Sequence, residues 1–355
     1  MLTWPDRCRR TDGLADAAAG TGGATPGRHD ASGTIRRFSA VEMGDFDTLR
    51  CGGGSRFRTS QTTAGPGEQS SAFWYSMGIG STMKILFIGE IVGKAGVYVV
   101  KTLLSKIREE HGIDLVIANG DGATGGFGIG KNHSVYLRKL GVDVITGGDQ
   151  IYYKKDMVTH IATAPYILRA ANFPPGNPGR GWRVFTGGDR KVAVISLLGQ
   201  SGFGKVHLSN PFTFLPELVD RARKETDAVV VDFHAVTTAE KTTMFHLADG
   251  LVSAIIGTGQ RVATSDETVR PNGTATICDA GRTGSMDGVA GLDIDIEVQK
   301  LIRQMPERSQ ECWTNLALNG VILELADGAA ARSIERISVP CEEPKDDRES
   351  ARSAS

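Results

Sequence analysis

Hydrophobic and polar positions divide this chain into two unlike parts. Before Met83 no run of large aliphatic residues keeps a helix or strand period; Gly, Ser, Thr, Ala and Arg dominate, and lysine does not occur. Such a segment cannot bury enough apolar surface to offset the entropy of ordering its backbone. Residues 1–82 are therefore expected to be disordered or not part of the natural protein, an over-long start ahead of Met83; a disordered regulatory tail is the alternative. From Met83 the pattern changes. Short β-branched runs predict strands at 85–88, 115–119, 143–146, 167–170, 192–197, 229–233 and 253–256. Helical periodicity predicts helices at 97–110, 133–140, 154–162, 214–225 and 238–247. Two further runs, 320–324 and 333–339, flank Asp327 and Gly328 and predict a hairpin. This alternation predicts an α/β domain over 83–340, a sheet covered on both faces by crossover helices. Residues 341–355 are charged and serine-rich, and a disordered tail is expected there.

Charge and cysteine content narrow the class. The 355 residues carry a formal net charge of −1, so no basic surplus points to a nucleic-acid surface. No stretch reaches the roughly 18 apolar residues of a membrane span. The five cysteines, Cys8, Cys51, Cys278, Cys312 and Cys341, have neither CxxC pairs nor zinc-ligand spacing, which predicts a reducing, cytoplasmic setting.

Ligands of open α/β sheets collect beyond the carboxyl ends of the strands. The residues that follow the predicted strands are polar: Gly89 and Glu90; Asn119, Gly120 and Asp121; Gly148, Asp149 and Gln150; Asp232 and His234. Carboxylates and an imidazole arriving from separate strand ends suit a divalent cation, although any one of these residues alone is explained by capping a turn or helix. Gly125 to Asn132 and Gly199 to Val206 approach the phosphate-binding P-loop but lack its magnesium-binding Ser or Thr. The first is expected to be a flexible loop and the second to border the cleft. Gly89, Gly93 and Gly96 have the wrong spacing for a dinucleotide fingerprint. His207 is a candidate replacement imidazole, Tyr152 and Tyr153 are expected to pack, and Thr237 with Glu240 reads as a capping box.

One ordered succession carries more information. It comprises Lys84 to Gly89, Asn119 with Gly120, Lys154 with Lys155, Ala171 to Pro174, Asp232 to Ala235, Glu240 with Lys241, Asp249 with Gly250, Gly257 with Thr258, Gly273 to Ala275, Thr283 with Gly284, and Asp287 with Gly288. In this order residues 83–340 resemble the YmdB-like family of calcineurin-type metallophosphoesterases, whose relatives hydrolyse 2′,3′-cyclic nucleotides. The resemblance implies a layered fold of central sheets flanked by helices, a two-metal site and assembly into homo-oligomers.

Carried over residue by residue, the implied site is uneven. Glu90 stands where relatives have Asp. Asp121 and Gly122 replace a Glu-Asn pair, keeping the bridging carboxylate and losing an amide ligand. Asp149 and Gln150 replace an Asn-His pair, keeping an oxygen ligand and losing the imidazole that assists catalysis; Gln150 cannot exchange a proton near neutral pH. His234 is retained, while Gly259 and Arg261 stand where two further histidines would be. The resemblance thus leaves one metal position with Asp121, Asp149 and His234, and a second with only Glu90 and Asp121. At most one divalent metal, iron or manganese, is expected, or none. Arg261 cannot ligate a metal and is expected to pair with Glu90 or Asp121 in its place. The implied function is phosphate or nucleotide binding in a Gly-rich, cationic cleft, with a regulatory role and weak or no hydrolysis. An active phosphodiesterase with a single-metal site is the alternative.

Overall fold

The computed structural model describes residues 82–203, 208–327 and 329–344. The expectations for residues 1–81 and 345–355, for the P-loop-like residues Gly204 to Val206, for His207 and for Gly328 lie outside the described residues. In chain order the first elements are β1 (Met83–Ile88), β2 (Glu90–Ile91), α1 (Gly93–His111), β3 (Leu115–Asn119), α2 (Lys131–Lys139), β4 (Val144–Thr146), α3 (Lys155–His160) and β5 (Ile167–Leu168). They are followed by β6 (Trp182–Gly187), β7 (Arg190–Leu198), α4 (Pro211–Ala222), β8 (Val229–His234), α5 (Thr238–Ala248), β9 (Ala254–Thr258), β10 (Thr268–Val269) and β11 (Ala275–Ile277). Last come β12 (Arg282–Ser285), α6 (Ile294–Arg303), β13 (Leu316–Leu325) and β14 (Ala331–Cys341).

Two sheets form the centre, where the strand and helix alternation alone had predicted one. The first runs β2-β12-β13-β1-β3-β4-β5, with β14 added beside β13; the second runs β10-β11-β9-β8-β7-β6. Alternate residues of β1 show how they stack. Ile85 and Phe87 pack with Val194, Val230 and Ile256 of the second sheet, whereas Leu86 and Ile88 pack with Val99, Val100 and Leu104 of α1. The outer face of the second sheet is covered by Leu215 and Leu218 of α4 and by Met244 and Phe245 of α5. The order of layers is helix, sheet, sheet, helix, the layered α/β fold of central sheets flanked by helices. A strand that is apolar on both faces looks the same in sequence whether its second face meets a helix or another sheet, which is why one sheet was expected.

Parallel pairing fixes where the strands end. β1, β3, β4 and β5 are parallel neighbours in the first sheet, and β7, β8 and β9 in the second. Their carboxyl ends therefore face one edge in each sheet. Glycine sets one approach: α1 begins four residues before its expected start, and Gly96 in its first turn lies against β12, where an added Cβ would be 2.4 Å from the Thr283 carbonyl oxygen.

Candidate metal centre

The ends of β3, β4, β8 and β9 converge at the seam between the two sheets, and a buried carboxylate ties them together. Asp232 of β8 accepts from Asn119 Nδ2 of β3 at 2.9 Å, from the Thr146 hydroxyl of β4, and from Thr258 Oγ1 of β9 at 2.7 Å. Burial pushes its carboxyl above the usual range, while the His234 charge and these three donors work against that rise.

Asp121, Asp149 and His234 gather in front of this tie. One ligand atom of each lies within 4.8 Å of the other two. His234 Nε2 is 3.4 Å from Asp149 Oδ1 and 4.0 Å from Asp121 Oδ2. The other ring nitrogen, Nδ1, is 3.0 Å from Thr258 Oγ1. Because the Thr258 hydroxyl donates to Asp232, its oxygen accepts from Nδ1–H, and Nε2 is the atom turned to the two carboxylates. Gly148 makes the approach sterically feasible, since a Cβ there would lie 2.4 Å from Nε2.

The electrostatics of the trio are those of a site that wants positive charge. Burial raises the Asp121 carboxyl, His234 opposes the rise, and the charges of Asp149 and Glu90 add to it, bringing the pKa to about 7. Burial acts to lower that of His234, but the hydrogen bond with Asp149 and the charges of Asp121, Glu90 and Asp232 outweigh it and push the ring up to about 9. Asp121 Oδ2 accepts from the Gln150 backbone N–H at 3.0 Å, whereas Asp121 Oδ1 is buried without a hydrogen-bond partner. An orphaned carboxylate oxygen is costly unless a proton or a cation reaches it. Two carboxylates and an imidazole within ligand range therefore fit one divalent cation.

The neighbouring position does not fit a second. Arg261 donates to Glu90 Oε1 from Nε at 2.9 Å and from Nη2 at 2.7 Å, and to the carbonyls of Gly126 and Ala290 at 2.7 and 3.4 Å. The Glu90 side chain is buried and only a small part of the Arg261 side chain reaches solvent. A Cβ at Gly122 would stand 2.8 Å from Arg261 Nη2 and 2.9 Å from Glu90 Oε1, so the guanidinium fills the room a side chain at 122 would take. Glu90 and Arg261 neutralise one another, and a cation placed beside them would meet like charge.

That pairing corrects one expectation. The cleft is not cationic: Glu90, Asp121 and Asp149 face Arg261 and one imidazole, and the guanidinium's donors are directed to protein oxygens rather than to an incoming anion. A phosphate group approaching the trio needs the cation first.

The surroundings hold further corrections. Gly125 to Asn132 is tied to the site: Gly128 N–H donates to the Asp121 carbonyl, Gly130 N–H to Thr124 Oγ1, and the Gly126 carbonyl receives Arg261. Thr237 does cap α5, accepting from Glu240 N–H at 3.3 Å, but the Glu240 carboxylate reaches outward instead of closing a capping box. It accepts from the backbone N–H groups of Gln200 and Ser201 at 2.7 and 3.1 Å. These bonds hold the border loop whose Phe203 ring stacks on His234, with centroids 5.9 Å apart. Tyr152 packs edge-on to Phe173, as expected; Tyr153 is 66% exposed. Gln150 Oε1 is buried and unpartnered, and Gly259 adopts φ +104°, a conformation that strains any residue bearing a Cβ. Asn119, Asp232 and Thr258, which orient His234, stood inside the quoted motifs, but their role needed the second sheet to become visible.

Layered sheets with carboxylates and a histidine gathered at their strand ends define a calcineurin-like phosphoesterase scaffold. A family model described as YmdB-like protein matches residues 86–337, and the chain belongs to that family. It is 35% identical over 258 residues to a 2′,3′-cyclic-nucleotide 2′-phosphodiesterase of Bacillus subtilis (strain 168), covering 72% of this chain and 97% of that protein. Among solved structures, a novel phosphatase of Mycoplasma pneumoniae superposes with a TM-score of 0.70 at 29% identity, covering 75% of this chain and 96% of that one. A hypothetical protein from Thermus thermophilus gives 0.68 at 29% identity, covering 74% and 100%.

Proposed function

We propose that this chain binds a phosphate-bearing small molecule or nucleotide through a single divalent cation held by Asp121, Asp149 and His234, with weak or no hydrolysis and a regulatory role. The Arg261–Glu90 ion pair carries the reading, because it occupies the place of a second cation with a charge that cannot ligate. When bound, iron or manganese at the trio would act as a Lewis acid on a phosphoryl oxygen. The protein's part is to orient the imidazole through Thr258 and Asp232, to exclude water with Phe203, and to keep Glu90 neutralised. Gln150 supplies no proton transfer, a loss worth about 10²–10⁴-fold in rate. The Bacillus relative's description supports a cyclic nucleotide as the phosphate-bearing molecule.

A second reading, a phosphodiesterase using that one cation, is favoured by the 35% identity to the Bacillus phosphodiesterase over 97% of its length. One experiment separates the two. Metal content of the purified chain is measured alongside turnover of 2′,3′-cyclic nucleotides with iron or manganese supplied. One metal per chain without turnover is the expected result; turnover abolished by His234→Ala would replace the first reading with the second, and two metals per chain would sink both. The cysteines among the described residues, Cys278, Cys312 and Cys341, are free, which supports a cytoplasmic setting as part of this reading. Among the described residues no helix is long and apolar enough to cross a membrane.

A further inference from the structure

A cavity of about 540 Å³ lies between the segment that follows β5, the edge strand β6 and helix α4, and none of the metal-centre residues lines it. Four arginines, Arg169, Arg180, Arg183 and Arg221, line it against one acidic residue, Glu225, and Trp182 is also in the wall. Arg169 is the informative one. It is only 9% exposed, yet it has no ion-pair partner among the described residues and its Nε is buried without a hydrogen-bond acceptor. Its Nη1 donates to the carbonyls of Ala170 and Ala171 at 2.7 and 3.4 Å, which fixes the side chain without neutralising it. Burying an uncompensated guanidinium donor is costly, and the cost is recovered only when an anion arrives. Arg180 and Arg183 also line a second cavity of about 210 Å³, walled by Ile161, Ala164, Pro165 and Ile167. The two compartments therefore share their cationic wall, and the smaller adds aliphatic side chains beside it.

We propose that this paired cavity is a second anion site, built for a phosphate-bearing small molecule whose phosphate lies against Arg169 and the arginines beside it. The guanidinium fork matches phosphate oxygens bidentately, and the volume falls within the range of small-molecule sites. Nucleotide and inorganic diphosphate share that chemistry, and Trp182 in the wall offers a ring somewhere to rest.

The test is calorimetric titration of the full chain, stripped of metal with a chelator, using pyrophosphate and ADP as probes at low and high salt. Salt-sensitive binding is expected, weakened at least about 10-fold in Arg169→Gln and in the double variant Arg183→Glu with Arg221→Glu, and unchanged in His234→Ala. The exposed pair decides the matter if Arg169→Gln fails to fold. Tighter ADP would assign the site to nucleotides, and equal or tighter pyrophosphate to inorganic diphosphate; either supports it. Absence of binding by the unaltered chain, or binding that survives the double variant, would overturn the proposal. Loss of binding in His234→Ala would also overturn it, by returning the ligand to the metal centre.

Discussion

Arg261 and Glu90 form a buried ion pair beside the Asp121, Asp149 and His234 trio. Glu90 is 3% exposed, so removing its partner leaves a buried charge uncompensated, at a cost of about 3 kcal/mol or more. Arg261→Ala is therefore expected to lower the thermal midpoint, and manganese is expected to recover part of the loss, because Glu90 and Asp121 then face a space a cation can enter. A midpoint in the variant that manganese does not move would show that Arg261 is not standing in for a metal. Gly259→His alone is expected to restore nothing, since Gly259 sits at φ +104° and an added Cβ would be 3.2 Å from His234 Nε2.

The trio also predicts opposite responses to pH. Asp121 rises from 3.8 to about 7 and His234 from 6.5 to about 9 in the metal-free protein. Both folded-state values lie above the unfolded ones, so the native state holds more protons. Its stability is fully present at low pH and is lost as pH rises, through about 7 for Asp121 and about 9 for His234. A metal needs both groups deprotonated, so its affinity rises over the same window. Metal-free melting should thus drift downward from about pH 4 to about 9 while manganese affinity increases. Proton release on titration, compared between buffers of different ionisation enthalpy, reports the second trend; release of no protons at pH 7 would contradict it.

Elements, rather than single residues, set how firmly His234 is aimed. Thr258 at the end of β9 bridges Asp232 and the imidazole, and Thr258→Val removes the bridge while keeping the shape. Metal affinity is expected to fall about 10–100-fold with little change in helix or strand content; an unchanged affinity would mean the strand ends alone position the ring. What could be read of these elements from sequence follows from their burial. β1, β3 and β8 are almost wholly buried, and their continuous apolar runs stand out. β6 is half-exposed along most of its length, while β2 and β10 have two residues each, too few for any period. β12 reads Arg, Thr, Gly, Ser and owes its strand state to β13 and β2 beside it. The same limit applied to the site. Residues at strand ends could be collected in order, and the pairing of Arg261 with a carboxylate followed from their charges. The service of Glu240 to the Phe203 loop depends on two backbone N–H groups forty residues away, which no local pattern encodes.

At the scale of the molecule, α6 stands apart from the layers. None of its ten residues is buried, although Asp293 caps its start, accepting from Ile296 N–H at 3.0 Å, and Lys300 pairs with Glu297 at 2.8 Å. Ile294, Val298, Leu301 and Ile302 recur at helical spacing and are 46, 41, 72 and 69% exposed, with Met305 continuing the stripe. A helix with an apolar stripe ordinarily turns it inward, and a contiguous patch left outside marks a contact surface. If a second copy of this chain is the partner, the stripe gives that assembly a place. Leu301→Glu combined with Ile302→Glu puts like charges into such a contact. Light scattering on the eluting protein should show more than one copy for the unaltered chain and a single copy for the double variant. Metal content per chain should stay the same in both, since α6 contributes nothing to the Asp121, Asp149 and His234 trio. An unaltered chain that is monomeric throughout, or a variant that keeps its assembly, would place the copy-to-copy contact elsewhere and leave the stripe to another partner.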